Sequence, residues 1–204
     1  MRKINKGTPV AGFNGNNFNN SCTTWLDFHE EHQEIYEKSR FVILADEQNQ
    51  LCGYTEIYIN DLTDCHIDHY KKRSLFPELT FEWNNLIAAT KDSDFGAIYK
   101  DNKSGIREND YNHIFNPVTD NVENYFYYTT WGEVTPKIAI SEIDNQKAKK
   151  TIEVFNLNHK SLKDRRRKLD NMISSYGEMP KEDIFAVFKN LGFRSTINQI
   201  LELN

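Results

Sequence analysis

The amino-acid sequence predicts an α+β protein with a strand hairpin and short helix at its centre, helices before it and a helical region after it. Three observations carry this. Apolar residues recur at helical spacing over 24–48 and again over much of 145–203. Residues 54–70 are rich in β-branched and aromatic side chains. Asn60-Asp61, Gly132 and Pro180 punctuate the boundaries between such runs.

Residues 11–21, rich in Asn and Gly, favour turns and are expected to form an N-terminal arm. From Thr24 to about Glu37 the positions Trp25, Phe28, His29, Ile35 and Tyr36 fit an amphipathic helix. A second helix is expected from about Lys38 to Gln48, with Val42, Ile43 and Leu44 inward. Residues 54–59 and 64–70 then read as the two strands of a hairpin. On the second strand His66 and Asp68 share one face and Ile67 and His69 the other, because strand side chains alternate. Residues 81–91 read as a connecting segment with a strand or short helix, and 97–103 as the last element of this unit.

Further on, the runs Tyr125-Phe126-Tyr127-Tyr128 and Lys137-Ile138-Ala139-Ile140 predict two strands with a turn at Gly132. A helix is expected from about Asn145 to Phe155, with Ala148, Ile152 and Phe155 on one stripe. Asn158 suits the N-cap of a helix running to about Ser174, and Pro180 the first turn of another ending near Gly192. Ile197 to Leu203 predict a short final helix. The apolar face at Ile184, Phe185, Phe188 and Leu191 reads as core or as a docking surface.

At 204 residues the chain has room for one well-cored domain or two small ones. Mean hydropathy is -0.71, and no apolar run approaches the roughly 18 residues of a membrane span. The start, Met1-Arg2-Lys3-Ile4-Asn5-Lys6, is basic but lacks the apolar stretch of a secretory signal, so a cytoplasmic protein with no membrane partner is expected. Cys22, Cys52 and Cys65 are odd in number and irregular in spacing, which argues against a disulfide framework. The net charge of -5 argues against a surface that coats nucleic acid by counterion release alone. Positive charge is local, at Lys71-Lys72-Arg73 and at Lys163 and Arg165-Arg166-Arg167-Lys168, where a solvated face is the plainer explanation.

The residues that carry chemistry lie in Cys65-His66-Ile67-Asp68-His69-Tyr70, then Asn85, then Lys100-Asp101-Asn102-Lys103. Phosphodiester hydrolysis needs a water nucleophile, a base and a cation to neutralise charge on the phosphate. His69 is the candidate base, because an imidazole accepts a proton at neutral pH. Asp68, Asp101 and Asn102 offer the hard oxygen ligands that Mg²⁺ or Mn²⁺ prefers. Since Asp68 and His69 point to opposite faces of a strand, both can serve one site only where the strand end bends. Asn85 either orients His69 or ties down a loop through its amide. Lys100, Lys103, Lys71 and Arg73 are candidate phosphate contacts, and His66 is either a ligand or a structural histidine. A zinc site from Cys52, Cys65, His66 and His113 is a further alternative with poor spacing.

The order of these pieces resembles the HNH endonucleases of anti-phage defence, in particular the PtuB component of Septu-type and retron-associated systems. The likeness rests on Leu51-Cys52-Gly53-Tyr54, Ile67-Asp68-His69-Tyr70, Phe76-Pro77-Glu78-Leu79, Asn85-Leu86, Phe115-Asn116-Pro117 and Thr151-Ile152 through Leu157-Asn158 with Leu162 and Arg166. It implies a ββα-metal (HNH) nuclease core at 51–118, preceded by an arm and helices at 1–50 and followed by a strand pair and helical region at 119–204. It also implies a metal-dependent endonuclease acting on DNA or RNA, with a PtuA-like ATPase as partner and, in retron systems, a DNA–RNA element and reverse transcriptase. The chain departs from the family twice. Cys52-Gly53-Tyr54-Thr55 lacks the second cysteine of a Cys-x-x-Cys pair, so no structural zinc is expected, and Lys100-Asp101-Asn102 stands where a third motif histidine is common. The second departure leaves open a catalytically weakened subunit that only binds nucleic acid or a partner.

Overall fold

The computed structural model describes residues 1–15, 24–177 and 179–203, and shows a mixed helical architecture with two small antiparallel sheets. Residues 16–21 of the expected arm, and Cys22, lie outside the described residues.

The first helix, α1 (Trp25–Glu31), is started by a capping box in which the Thr24 side chain accepts from Asp27 N and Asp27 accepts from Thr24 N. It buries Trp25 and Phe28, as the spacing predicts. The chain leaves helical geometry at His32, φ -127 and ψ 42, so α2 (Gln33–Val42) begins five residues before the expected Lys38. A wider π turn, Ile43–Glu47, continues it and seats Ile43 and Leu44 in the core.

Strand β1 (Cys65–His69) pairs antiparallel with β2 (Leu86–Thr90), His69 opposite Leu86 and Cys65 opposite Thr90. The expected partner, residues 54–59, forms no strand and makes one isolated bridge, from Tyr58 to Leu51, outside both sheets. Its backbone turns at Glu56, whose φ of 61 lies in the left-handed region that a strand cannot contain. Leu86, Ile87, Ala88 and Ala89 are each 0% exposed, so β2 is buried on both faces. Helix α3 (Gly96–Asn102) packs on β2, completing a strand, strand, helix sequence.

Strands β3 (Phe126–Tyr128) and β4 (Val134–Pro136) form the second sheet. The second strand thus lies before the expected Lys137–Ile140, and Ile138 stands fully in solvent. Gly132 marks the turn for a steric reason: a Cβ there would sit 2.1 Å from the Lys163 carbonyl oxygen. Helix α4 (Glu142–Val154) is capped by Ser141 and starts earlier than Asn145. Helix α5 (Lys160–Ser174) is not capped by Asn158. That side chain instead accepts from Val134 N and donates to Val134 O, fastening β4 to the start of the helix.

Helices α6 (Lys181–Phe188), entered through Pro180, and α7 (Arg194–Leu201) complete the chain. Ile184 and Phe188 pack with Phe95, Leu162, Leu169, Ile173, Phe193 and Ile197 in a second apolar cluster, while Leu191 is 51% exposed. The larger cluster is centred on β1, β2 and the aromatic residues of α1. The N-terminal segment crosses between regions: Ile4 N donates to Pro117 O, and Lys6 Nζ is buried between Glu47 and the Leu86 carbonyl. Among the described residues no helix is long and apolar enough to cross a membrane.

Candidate active site at the end of the central hairpin

A cavity of about 420 Å³ opens where β1 ends. The strand lines it with His66, Asp68 and His69, the following loop with Lys72 and Arg73, and the end of α3 with Asp101 and Asn102. Asp68 and His69 meet in one cavity because it wraps the strand terminus, where pleat alternation no longer separates neighbours.

His69 is 4% exposed, packed edge-on against Trp25 with ring centroids 4.5 Å apart. Its Nε2 lies 2.8 Å from the Thr80 carbonyl oxygen. A carbonyl can only accept, so the proton sits on Nε2 and Nδ1 carries the free lone pair. Burial pushes the imidazole down to about 4, against the Thr80 contact and the Asp68 charge, so the ring is neutral at physiological pH. His69 is therefore a core residue as well as a cavity residue, which the sequence pattern did not predict.

Asp68 Oδ2 accepts from the Tyr54 hydroxyl and, at 2.9 Å, from Lys100 Nζ. Lys100 is 0% exposed, and its ammonium also donates to the His69 carbonyl at 2.5 Å and the Tyr70 carbonyl at 3.0 Å. Burial disfavours its charge, but Asp68 and Asp101 outweigh that and hold it above the ordinary lysine value. This corrects the expectation that Lys100 reaches phosphate: it is an internal cation. Burial, and after it the Asp68 charge, holds the Asp101 carboxyl above the usual range.

Asn85 is buried and makes a three-point tie to the loop between the strands. Its Oδ1 accepts from Lys71 N at 2.8 Å, and Nδ2 donates to the carbonyls of Lys71 and Leu79, each at 3.1 Å. Of the two expected roles the structure shows the loop tie, and Asn85 makes no hydrogen bond to His69. Lys71 lies over the Phe76 ring at 4.8 Å and Lys103 pairs with Asp94 at 2.9 Å, and neither lines the cavity. Of the four expected phosphate contacts only Arg73 does. Lys72, whose Nζ donates to the Asp101 carbonyl at 2.6 Å, joins it at the cavity and was missed, as were Tyr54 and Thr80. A basic tripeptide does not reveal which of its members faces a cavity.

The hard cation that the resemblance implies fits the donors present. Among the described residues nothing donates to Asp68 Oδ1 or to Asp101 Oδ2, while Asp101 Oδ1, buried without a hydrogen bond, lies 3.2 Å from the Lys100 ammonium. One or two carboxylates, completed by water and phosphate, are the usual protein share of a Mg²⁺ site. Among the described residues no three His, Cys, Asp or Glu side chains group as ligands for a metal ion, so Cys52, Cys65, His66 and His113 make no four-ligand site, and a hard cation would have at most the two carboxylates of Asp68 and Asp101 from side chains of these types. Cys52 and Cys65 are free and buried, and burial pushes the Cys65 thiol up to about 12. No protein-family model matches the chain, and no curated protein matches it.

Proposed function

We propose that this protein is a metal-dependent endonuclease of the HNH type that hydrolyses phosphodiester bonds of DNA or RNA in the cavity at the end of β1. The observation that carries the reading is the tautomer of His69. Thr80 fixes its proton on Nε2, which leaves Nδ1 unprotonated in a residue that lines the cavity with two carboxylates and two cationic side chains. His69 takes the proton of a water as that water's oxygen bonds to phosphorus and the ester P–O bond breaks. Lys72 and Arg73 receive the phosphate charge, and Asp68 holds its place through Tyr54 and Lys100. A Mg²⁺ or Mn²⁺ ion held by Asp68 and Asp101, with Asn102 beside them, would supply Lewis-acid stabilisation of the departing oxygen.

On the resemblance to the PtuB family, the proposal extends to a cytoplasmic anti-phage complex with a PtuA-like ATPase and, in a retron setting, a DNA–RNA element with its reverse transcriptase. The net charge of -5 supports a partner that supplies substrate affinity. A second reading, a binding subunit that no longer cuts, is favoured by one observation: Lys100 occupies Asp68 Oδ2. The deciding experiment incubates the chain, alone and with its genomically adjacent ATPase, with plasmid DNA and total RNA in Mg²⁺ or Mn²⁺. Cleavage abolished by EDTA supports the nuclease. Binding without cleavage in every arm supports the second reading instead.

A further inference from the structure

We propose that Lys100 is a fixed internal cation of this site, filling the position between Asp68 and Asp101 that a tightly held metal ion would otherwise take. A divalent ion is then left with Asp68 Oδ1 and the remaining oxygen of Asp101, and binds only together with a substrate phosphate. The inference rests on the reading of the cavity as a place for a cation and a phosphate, and adds to it how the ion is held.

The geometry around Lys100 Nζ is that of a cation site. Four oxygens surround it: the His69 carbonyl at 2.5 Å, Asp68 Oδ2 at 2.9 Å, the Tyr70 carbonyl at 3.0 Å and Asp101 Oδ1 at 3.2 Å. Two are carboxylate oxygens and two are backbone carbonyls at the bend where β1 ends, the hard-oxygen set that binds Mg²⁺ or Ca²⁺ elsewhere. An ammonium has three protons, and three of the four contacts are hydrogen bonds. The side chain is 0% exposed and held by three hydrogen bonds, so an ion entering this position would have to displace it. The ammonium also neutralises one of the two carboxylates permanently. That removes most of the electrostatic reason for an ion to enter without a phosphate, because affinity in such sites follows the count of ligand charges.

Lys100 is thus a positioning residue acting through Asp68 and the strand end, and replacing it should change metal affinity in a direction that a merely structural lysine would not. The probe is Mn²⁺ alone, titrated without nucleic acid and followed by electron paramagnetic resonance. Wild-type protein is expected to show no saturable binding at micromolar Mn²⁺. Lys100→Met frees both carboxylates and both carbonyls, and should bind Mn²⁺ at least about tenfold more tightly. Lys100→Arg, which keeps the charge, should bind it as weakly as wild type. Micromolar binding by wild type, or a folded Lys100→Met with unchanged affinity, overturns the proposal. Should Lys100→Met fail to fold in EDTA, Mn²⁺ must restore its folded circular-dichroism spectrum, and failure to do so overturns it equally. Because none of these measurements involves turnover, a protein that cleaves nothing yet behaves this way breaks the nuclease reading and leaves the internal cation standing.

Discussion

Glu56 and Asp68 are both buried carboxylates, 2% and 5% exposed, and each faces a buried ammonium group. At Glu56 both oxygens are used up. Oε1 meets the Met1 ammonium at 2.6 Å and the Tyr128 hydroxyl at 3.3 Å, and Oε2 accepts from Ser195 N at 2.8 Å. The Glu56 carbonyl accepts from Phe193 N as well, so this one residue joins the start of the chain, β3 and the entry to α7. At Asp68 one oxygen is taken by Tyr54 and Lys100, while the other has no donor among the described residues and the side chain lines a cavity. The same buried pair serves as a clamp when both oxygens are matched and offers chemistry when one oxygen is left open.

The comparison breaks first at His69. If the open carboxylate belongs to a catalytic cavity, His69→Ala should lower phosphodiester cleavage by a factor of about 10² to 10⁴, the usual range for losing a general base. The ring also packs on Trp25 and bonds to Thr80, so the variant should lose about 1–3 kcal/mol of stability. Rates must therefore be taken well below its unfolding midpoint. A folded variant that cuts at the wild-type rate removes His69 from the mechanism.

Glu56 should respond in the opposite manner. Glu56→Gln leaves the Met1 ammonium buried without a counter-charge, a change that typically costs about 3–5 kcal/mol, and should leave the cleavage rate of the folded fraction unaltered. The pH dependence has a defined sign. Burial works against ionisation of Glu56, but the Met1 ammonium and the Ser195 N–H outweigh it and hold the carboxyl below its ordinary value. A depressed carboxylate stabilises the fold above the unfolded value of about 4.3, and that contribution is lost as pH falls through the folded value. Urea denaturation across pH 3 to 6 should show wild type losing this increment while Glu56→Gln shows a flatter profile. Parallel profiles would mean that the clamp is not ionic.

Asn85 lies between the two cases, a fully matched polar group placed beside the cavity. Asn85→Ala strands Lys71 N and two carbonyls, at a cost of about 1–3 kcal/mol. Because Asn85 acts on the loop carrying Lys72 and Arg73 and touches nothing that reacts, cleavage should fall by about tenfold, well short of the His69 effect. Thermal melts and initial rates on the same preparation separate the two. A loss as large as that of His69→Ala would return Asn85 to the reacting groups.

How far this was legible in the sequence follows from which interactions are local. Asp68 and His69 are adjacent, so their pairing could be read directly. The role of Lys100 could not, because it arises only when α3 brings residue 100 against the end of β1, and lysine as a type suggests exposure. The partner of β1 is hidden for a related reason. Leu86-Ile87-Ala88-Ala89 is buried on both faces and shows no alternation, whereas 54–59 is rich in aromatic and β-branched residues yet turns at Glu56. The run 163–168 does carry a local signal. Arg166 falls on the helical stripe of Leu162, Leu169 and Ile173, and it is buried, bonding the carbonyls of Gly132 and Leu157.

The smallest expected effects separate the two exposed cations flanking the site. Arg73 lines the cavity and Lys103 does not. If Arg73 meets phosphate, Arg73→Ala should weaken binding of any nucleic-acid sequence about equally and reduce the slope of log affinity against log salt by about 1. The Lys103 ammonium is spent on Asp94 at the surface, an exposed pair worth at most about 1 kcal/mol. Lys103→Ala should therefore leave the salt slope unchanged and shift the melting temperature by little. Fluorescence-anisotropy titrations of a labelled oligonucleotide at three salt concentrations measure both slopes. Equal slopes for the two variants would mean that the phosphate does not enter beside Arg73, and that the open oxygen of Asp68 faces a cavity the nucleic acid never reaches.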